Sequence, residues 1–172
     1  MLKLLKKICE VGIITEQFNL NDTTDIEFIG KSCRKLINKY FASSLAIRMV
    51  DAGSCNGCEL EIQALNNPFY DIERFGIHFV ASPRHADMLL VTGPVAKHME
   101  AALKATYAAM PKSNLVVAVG NCGVNGGEFG VSYASLGAVS NIIPVDFTIE
   151  GCPPTPAKLL TGIMQAIGNR NV

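Results

Sequence analysis

Two short runs of consecutive apolar residues constrain the fold of this chain more than any other feature. Met88–Thr92 (MLLVT) and Leu115–Val119 (LVVAV) each have the length of a strand and contain almost no polar residue. A strand that is apolar on both sides must be covered on both faces, as the strands of parallel sheets are. Residues 95–110, rich in Ala, Met and Leu, predict a helix between the two runs that ends at Pro111.

Shorter segments on either side extend this alternation of strands and helices. Further strands are predicted at residues 46–51, 77–80 and 143–146, and further helices from residue 59 and over residues 155–167. Because helices then lie between successive strands, they cover both faces of the sheet. The predicted fold class is therefore α/β, a doubly wound parallel sheet formed by residues 46–172.

Residues 1–45 depart from this pattern and predict a helical adapter outside the core. Leucines and lysines alternate at its start in a short basic amphipathic helix, which suits a membrane surface, a partner protein or the chain's own domain. Residues 17–30 are polar and predict a loop, and residues 31–41 predict a second helix. Cys9 and Cys33 have no cysteine or histidine close in sequence, and we interpret both as ordinary buried or interface thiols.

Composition excludes several classes of protein. Of the 172 residues, 49% are hydrophobic and 17% are charged, which excludes a disordered chain and indicates apolar surface covered by a partner. The net charge is zero, so we expect no nucleic-acid partner. The sequence contains no run of about 18 apolar residues, so it predicts no transmembrane helix. The start of the chain lacks the apolar region of a secretory signal, so we expect an intracellular protein.

Four of the six cysteines share one kind of position. Cys55 and Cys58 follow the first predicted strand, Cys122 follows the LVVAV strand, and Cys152 follows the strand predicted near residue 145. The loops after the carboxyl ends of parallel strands meet at one edge of the sheet, where ligands bind. We therefore expect these four thiols to lie close together.

Four thiols in an intracellular chain are more typical of a metal site than of disulfides. A structural zinc site usually has two CxxC pairs, whereas this chain has one CxxC and two single cysteines. That spacing, with glycines that allow close backbone approach, better fits an iron–sulfur cubane held by four cysteines. The alternatives are a zinc site, a thioredoxin-like CxxC redox pair, or four free buried thiols.

Three motifs together resemble a known family. Residues 51–59 (DAGSCNGCE), 120–123 (GNCG) and 150–154 (EGCPP) look like the small subunit of membrane-bound, energy-converting group 4 [NiFe] hydrogenases, including the formate hydrogenlyase and hydrogenase-4 types. The same family contains the small iron–sulfur subunit of respiratory complex I. That subunit has adjacent cysteines in the first motif, whereas this chain has two residues between them, as hydrogenase-type members do.

The resemblance implies a flavodoxin-like fold that carries one [4Fe-4S] cluster on Cys55, Cys58, Cys122 and Cys152. It also implies an electron-transfer subunit that connects a ferredoxin-like iron–sulfur subunit with the active site of a hydrogenase-type large subunit. A membrane-embedded subunit would complete the complex, and the chain would be peripheral on the cytoplasmic side of the cell membrane. The alternatives are the equivalent subunit of a complex I-like oxidoreductase and, from another class, a zinc-stabilised binding module.

Glu59 is the candidate for proton transfer. It stands directly after the second cysteine of the CxxC pair, at the start of a predicted helix. A carboxylate there complements the helix dipole whatever the function. The resemblance adds a second interpretation, in which Glu59 relays protons toward the large subunit.

Overall fold

The computed structural model of the chain describes residue 6 and residues 21–169. Within residues 21–169, five parallel strands form one sheet in the order β2–β1–β3–β4–β5. The strands are β1 (Leu45–Asp51), β2 (Ile77–Phe79), β3 (Met88–Thr92), β4 (Leu115–Val119) and β5 (Phe147–Ile149). An order with the first strand between the second and the third is flavodoxin-like, so the predicted doubly wound α/β fold is confirmed.

Five α-helices within residues 21–169 accompany the sheet. They are α1 (Asn21–Tyr40), α2 (Gly57–Ala64), α3 (Glu100–Ala109), α4 (Gly120–Asn125) and α5 (Pro156–Gly168). Helices α1, α2 and α5 contribute buried residues to the core cluster on one face of the sheet, and α3 contributes to the cluster on the other. Within β3, Met88 and Leu90 belong to the first cluster and Leu89 and Val91 to the second, since successive side chains point to opposite faces.

Helix α1 packs more deeply than the sequence indicates. It begins at Asn21, so the loop predicted for residues 17–30 is wrong from residue 21 onward. Asn, Asp and Thr, which suggest a loop, are also the residues favoured at helix N-termini. Ile26 and Ile37 lie in the first core cluster. The expectation that residues 1–45 stay outside the core is therefore wrong for α1.

Cys33, on the same helix, is fully buried. Burial raises the pKa of its thiol from 9.0 to about 12. Its interpretation as a buried thiol is confirmed. Cys9 and the leucine–lysine helix predicted at the start of the chain lie outside the described residues.

The last strand lies further along the chain than predicted. A strand was expected at residues 143–146, but β5 begins at Phe147. Pro144 has no N–H to donate to a neighbouring strand, which disfavours a ladder there. Instead, the backbone N–H of Asp146 donates to the carbonyl of Val116 (2.9 Å), and the Asp146 carboxylate accepts from the Val116 N–H (2.7 Å).

The helix predicted for residues 95–110 begins only at Glu100. The two residues at its expected start are extended, because their N–H groups bond to other loops. Val95 donates to the carbonyl of Gly137 (2.9 Å), and Ala96 donates to that of Ala52 (2.7 Å). The first bond ties the loop after β3 to the loop after α4, and the second ties it to the loop after β1. No helix in the described residues is both long enough and apolar enough to cross a membrane.

The substitution Gly30→Ala tests the packing of α1. A Cβ at Gly30 would lie 2.3 Å from the ring of the buried Phe75, whereas one at Gly168 in α5 would meet only Leu36, at 3.9 Å. We expect Gly30→Ala to lower the free energy of unfolding by about 1–3 kcal/mol through overpacking. Gly168→Ala, the matched control, should leave it unchanged or raise it by up to about 1 kcal/mol. Urea unfolding measures both, and equal effects would contradict the packing of α1.

Candidate functional site

The four cysteines identified from the sequence lie after three different strands, at the carboxyl edge of the sheet. Cys55 and Cys58 follow β1, and Cys58 lies in the first turn of α2. Cys122, expected in a loop, lies within the short helix α4 that begins directly after β4. Cys152 follows β5. Since β1 and β4 flank β3, these segments surround the carboxyl end of β3.

The loop that carries Cys55 is fixed by its own side chains. The Asp51 Oδ1 atom accepts hydrogen bonds from the N–H groups of Gly53 and Ser54, both at 2.8 Å. The Ser54 hydroxyl oxygen in turn accepts from the N–H of Asn56 at 3.1 Å. Asn56 has a left-handed φ of 71°, which Asn tolerates better than most residues, and the chain turns there into α2. The turn sets the separation of the two cysteines in the CxxC pair.

Asn121 and Gly151 join the other two cysteine segments. The N–H of Asn121 donates to the carbonyl of Gly151 at 2.8 Å. The N–H of Gly151 donates to the side-chain Oδ1 of Asn121 at 2.9 Å. The residues that immediately precede Cys122 and Cys152 are therefore bound to each other in both directions.

Glycines lie against two of the cysteine sulfurs. A Cβ built on Gly120 would be 2.6 Å from the sulfur of Cys58, and one on Gly127 would be 2.6 Å from the sulfur of Cys122. Both glycines also have positive φ, 78° and 55°, where side chains are unfavourable. The backbone therefore approaches these sulfurs more closely than any other residue type would allow.

The four thiols are near enough to affect one another's ionisation. Burial raises the pKa of Cys58 from 9.0 to about 12, and the negative charges of Glu59 and of the other three thiols add to the increase. The pKa of Cys122 is also raised, first by burial and then by two of these thiols and Glu128. Thiolates this close together would be stabilised by a positive charge between them, which a bound metal supplies.

The number of these side chains bears on the kind of metal group. A cubane cluster bonds each of its four irons to a different cysteine, and this edge of the sheet supplies four thiols from three segments. A cavity of about 500 Å³ beside Cys122 and Cys152 provides open space at this edge. The donor set and the glycine cradle fit a cluster of this type.

Glu59 is buried in α2, next to Cys58. It is 3% exposed, and neither of its carboxylate oxygens has a hydrogen-bond partner among the described residues. Gln63, one turn after Glu59 on α2, lines a cavity of about 330 Å³ together with Asn66 and Arg48, whose Nε is also buried without a partner among the described residues. Complementing the helix dipole does not require burial, and burial without a partner costs free energy. The position of Glu59 therefore needs a reason beyond the dipole.

An exposed apolar segment next to the site was missed in the sequence. Phe129, Val131 and Tyr133 are 61%, 75% and 91% exposed, in the loop that follows α4. The N–H of Ser132 donates to the carbonyl of Ser135 at 2.8 Å, so the loop is held by its own hydrogen bonds. The alternation of Phe129, Val131 and Tyr133 in the sequence was the available signal, but the surrounding Gly and Ser residues obscured it. We call these three residues the apolar loop.

The chain matches a described protein family. Residues 55–166 match the family "NADH ubiquinone oxidoreductase, 20 Kd subunit". In the solved structure of the membrane-bound sulfane sulfur reductase, an archaeal respiratory membrane complex, one chain is 36% identical with a TM-score of 0.66. That match covers 79% of this chain and 77% of the other.

Similar proteins include subunits of several complexes. Formate hydrogenlyase subunit 7 of Escherichia coli is 44% identical over 142 residues, 83% of this chain and 55% of the relative. The probable membrane-bound hydrogenase subunit mbhJ of Pyrococcus furiosus is 43% identical, over 75% of this chain and 77% of the relative. An NADH-quinone oxidoreductase subunit of Bacteroides thetaiotaomicron is 47% identical, over 66% of this chain and 57% of the relative. The match thus spans little more than half of the first and third relatives.

The cysteines of the metal-free chain should differ in reactivity. Cys55 and Cys152 are exposed, so iodoacetamide should alkylate them at pH 8 in the folded chain. With a pKa of about 12, Cys58 is only about one part in ten thousand thiolate at that pH. Its alkylation should be slow and should rise about tenfold per pH unit up to pH 11.

Mass spectrometry of labelled peptides measures the rates, with the fully buried Cys33 as the unreactive reference. Equal rates for Cys58 and Cys55 at pH 8 would contradict the described environment.

Proposed function

Because the chain belongs to the family of the 20 kDa subunit of NADH ubiquinone oxidoreductase, we propose that it is an electron-transfer subunit of a membrane-bound hydrogenase complex. The observation that carries this proposal is the convergence of four cysteines from three strand ends at one edge of a flavodoxin-like sheet. All four lie within the segment that matches the family. Relatives with hydrogenase names support this complex.

Cys55, Cys58, Cys122 and Cys152 are the proposed ligands of one [4Fe-4S] cluster. With the cluster bound, the site would accept and release electrons one at a time. The chain's own part is to fix the four thiolates and to exclude side chains from their surroundings. Gly120 and Gly127 let the backbone come close to two of the sulfurs, and any N–H group that donates to a cluster sulfur would favour the more negative, reduced state.

The relatives' names differ in the overall reaction, from formate hydrogenlyase to NADH-quinone oxidoreductase. A subunit shared by such complexes supplies a common step, and the reaction is decided elsewhere. We place the hydrogen- or quinone-reacting centre in a large subunit. The two residues between Cys55 and Cys58 favour the hydrogenase type over the complex I-like alternative, whose first motif has adjacent cysteines.

The apolar loop supports a protein partner at the same edge. It follows α4, which carries Cys122, and exposes two aromatic rings next to the proposed cluster. Aromatic side chains on a hydrogen-bonded loop are typical of interface anchors. We propose that the hydrogenase-type large subunit covers this loop and that a ferredoxin-like subunit exchanges electrons with the cluster. A membrane-embedded subunit would hold the assembly on the cytoplasmic side of the membrane, with the residues before α1 as the adapter.

Substitution of the cysteines tests the cluster. Cys55→Ala, Cys58→Ala, Cys122→Ala and Cys152→Ala should each abolish a full content of about four irons and about four acid-labile sulfides per chain. Cys33→Ala is the matched control, because it removes a buried thiol away from this edge and should keep the cluster. Iron and sulfide analysis with EPR of the reduced protein measures the outcome.

Two results would contradict this ligand set. One is a colourless chain with a single zinc ion, which would favour the zinc-stabilised binding module instead. The other is loss of the cluster in Cys33→Ala together with its retention in Cys152→Ala. A nickel-free large subunit in the purified complex would leave the cluster intact and favour the complex I-like alternative.

Glu59→Gln tests the proposed proton relay. The change removes a buried carboxylate that has no hydrogen-bond partner among residues 21–169, so the free energy of unfolding should stay unchanged or rise. Iron content should be unaffected, whereas hydrogen turnover by the complex should fall at least about tenfold and change its pH profile. Glu73→Gln, at an exposed position, is the control and should alter neither. An unchanged rate and pH profile in Glu59→Gln would rule out the relay without affecting the cluster proposal.

A further inference from the structure

A strongly basic cavity lies between α1 and the turn Ile72–Phe75, which precedes the amino end of β2 and not the carboxyl edge that carries the four proposed ligands. Its volume is about 460 Å³, and its lining residues are Glu27, Lys31, Arg34, Lys35, Arg74 and Phe75. Four cations face one carboxylate, which gives the cavity a formal charge of +3. The chain as a whole has no net charge, so this is a local concentration of positive charge.

The single carboxylate is shared by two of the cations. The two oxygens of Glu27 contact the Lys31 Nζ and the Arg74 Nη1, both at 3.3 Å. Arg34 donates from Nη1 to the backbone carbonyl of Arg74 at 2.8 Å, which holds its guanidinium at the cavity. Arg34 and Lys35 have no acidic partner in the described part of the chain. Their charges remain available to an anion.

An aromatic residue adjoins these cations on the surface of α1. Phe28, Lys31 and Lys35 are spaced i, i+3 and i+7, so they fall on one helix face, and Lys39 continues it one turn later. Phe28 is 74% exposed. Exposed aromatic rings beside lysines are characteristic of segments that lie at the level of lipid headgroups. A free phosphate ion would gain nothing from Phe28, whereas a lipid would contact both the ring and the cations.

We propose that this cavity is a binding site for the headgroup phosphate of an anionic phospholipid. Arg34 and Lys35 would bind the phosphate oxygens, and Phe28 would enter the interface between headgroups and acyl chains. The site deepens the proposed function, on which it rests, by giving the peripheral subunit its own contact with the membrane. Lipid binding does not depend on the cysteines, so the two proposals can fail separately.

Sedimentation of the full-length, cluster-loaded chain with lipid vesicles tests the site. We expect binding to vesicles of phosphatidylcholine with phosphatidylglycerol, little binding to phosphatidylcholine alone, and weaker binding as salt increases. The double variant Arg34→Glu/Lys35→Glu should weaken binding at least about tenfold. Lys97→Glu/Lys112→Glu makes the same charge change at exposed positions elsewhere and should weaken binding much less.

Phe28→Ser distinguishes a lipid from other anions. It should weaken vesicle binding severalfold while leaving all the cations in place. If Phe28→Ser binds like the parent chain and millimolar inorganic phosphate displaces the vesicles, the cavity takes free phosphate and the lipid proposal is wrong.

Two further results would also overturn the lipid proposal. One is a parent chain that does not bind vesicles containing phosphatidylglycerol but requires Arg34 and Lys35 to assemble into its complex. The basic face would then bind a protein. The other is an Arg34→Glu/Lys35→Glu variant that binds vesicles as the parent does. Iron content is measured in every sample, so loss of the cluster is not mistaken for loss of the lipid site.

Discussion

Burial of the central strands on both faces is the constraint on which the rest of this structure depends. β3 and β4 are covered by separate core clusters on their two sides, and this requires helices above and below the sheet. Connections that return over a face make the strands parallel, so the segments after β1, β4 and β5 emerge at the same edge. Cysteines separated by up to about a hundred residues thereby become neighbours. The site is a consequence of strand direction before any side chain is considered.

Local interactions then determine how that edge can be used. Hydrogen bonds from Asp51 and Ser54 fix one cysteine loop, and glycines admit the backbone to the sulfurs. Burial, and after it the neighbouring negative charges, raises the pKa values of Cys58 and Cys122, which disfavours the thiolates unless a cation offsets their charge. The edge therefore disfavours bare thiolates and is suited to a metal group that stabilises them. The Glu59 carboxylate, which is buried without a hydrogen-bond partner in the described part of the chain, adds a further negative charge there.

The elements predicted best from the sequence were those in which every residue must be buried. β3 and β4 have the predicted bounds, because five consecutive buried residues leave little freedom in where a strand starts or stops. The start of α1 was missed because its polar residues are equally suited to a loop and to a helix N-terminus. The position of β5 depended on Pro144 and on bonds from Asp146 to a distant strand, which sequence spacing does not reveal.

The candidate site divides in the same way. Placement of the four cysteines followed from topology and could be predicted. Burial of Glu59 and exposure of Tyr133 depend on how α2 and the loop after α4 pack, so they could not. The basic face of α1 required both the helix and Arg74, which lies 40 residues from Arg34 in sequence.

The two-way hydrogen bonding of Asn121 with Gly151 has a consequence for how the site is assembled. It joins the segments of Cys122 and Cys152 into one unit, while Cys55 and Cys58 belong to a second unit at the start of α2. The two units meet where Gly120 lies closely against the sulfur of Cys58. A group bound between the two units would link the first βα unit to the last two strands. The rigidity of this end of the domain would then depend on the bound group as well as on the fold.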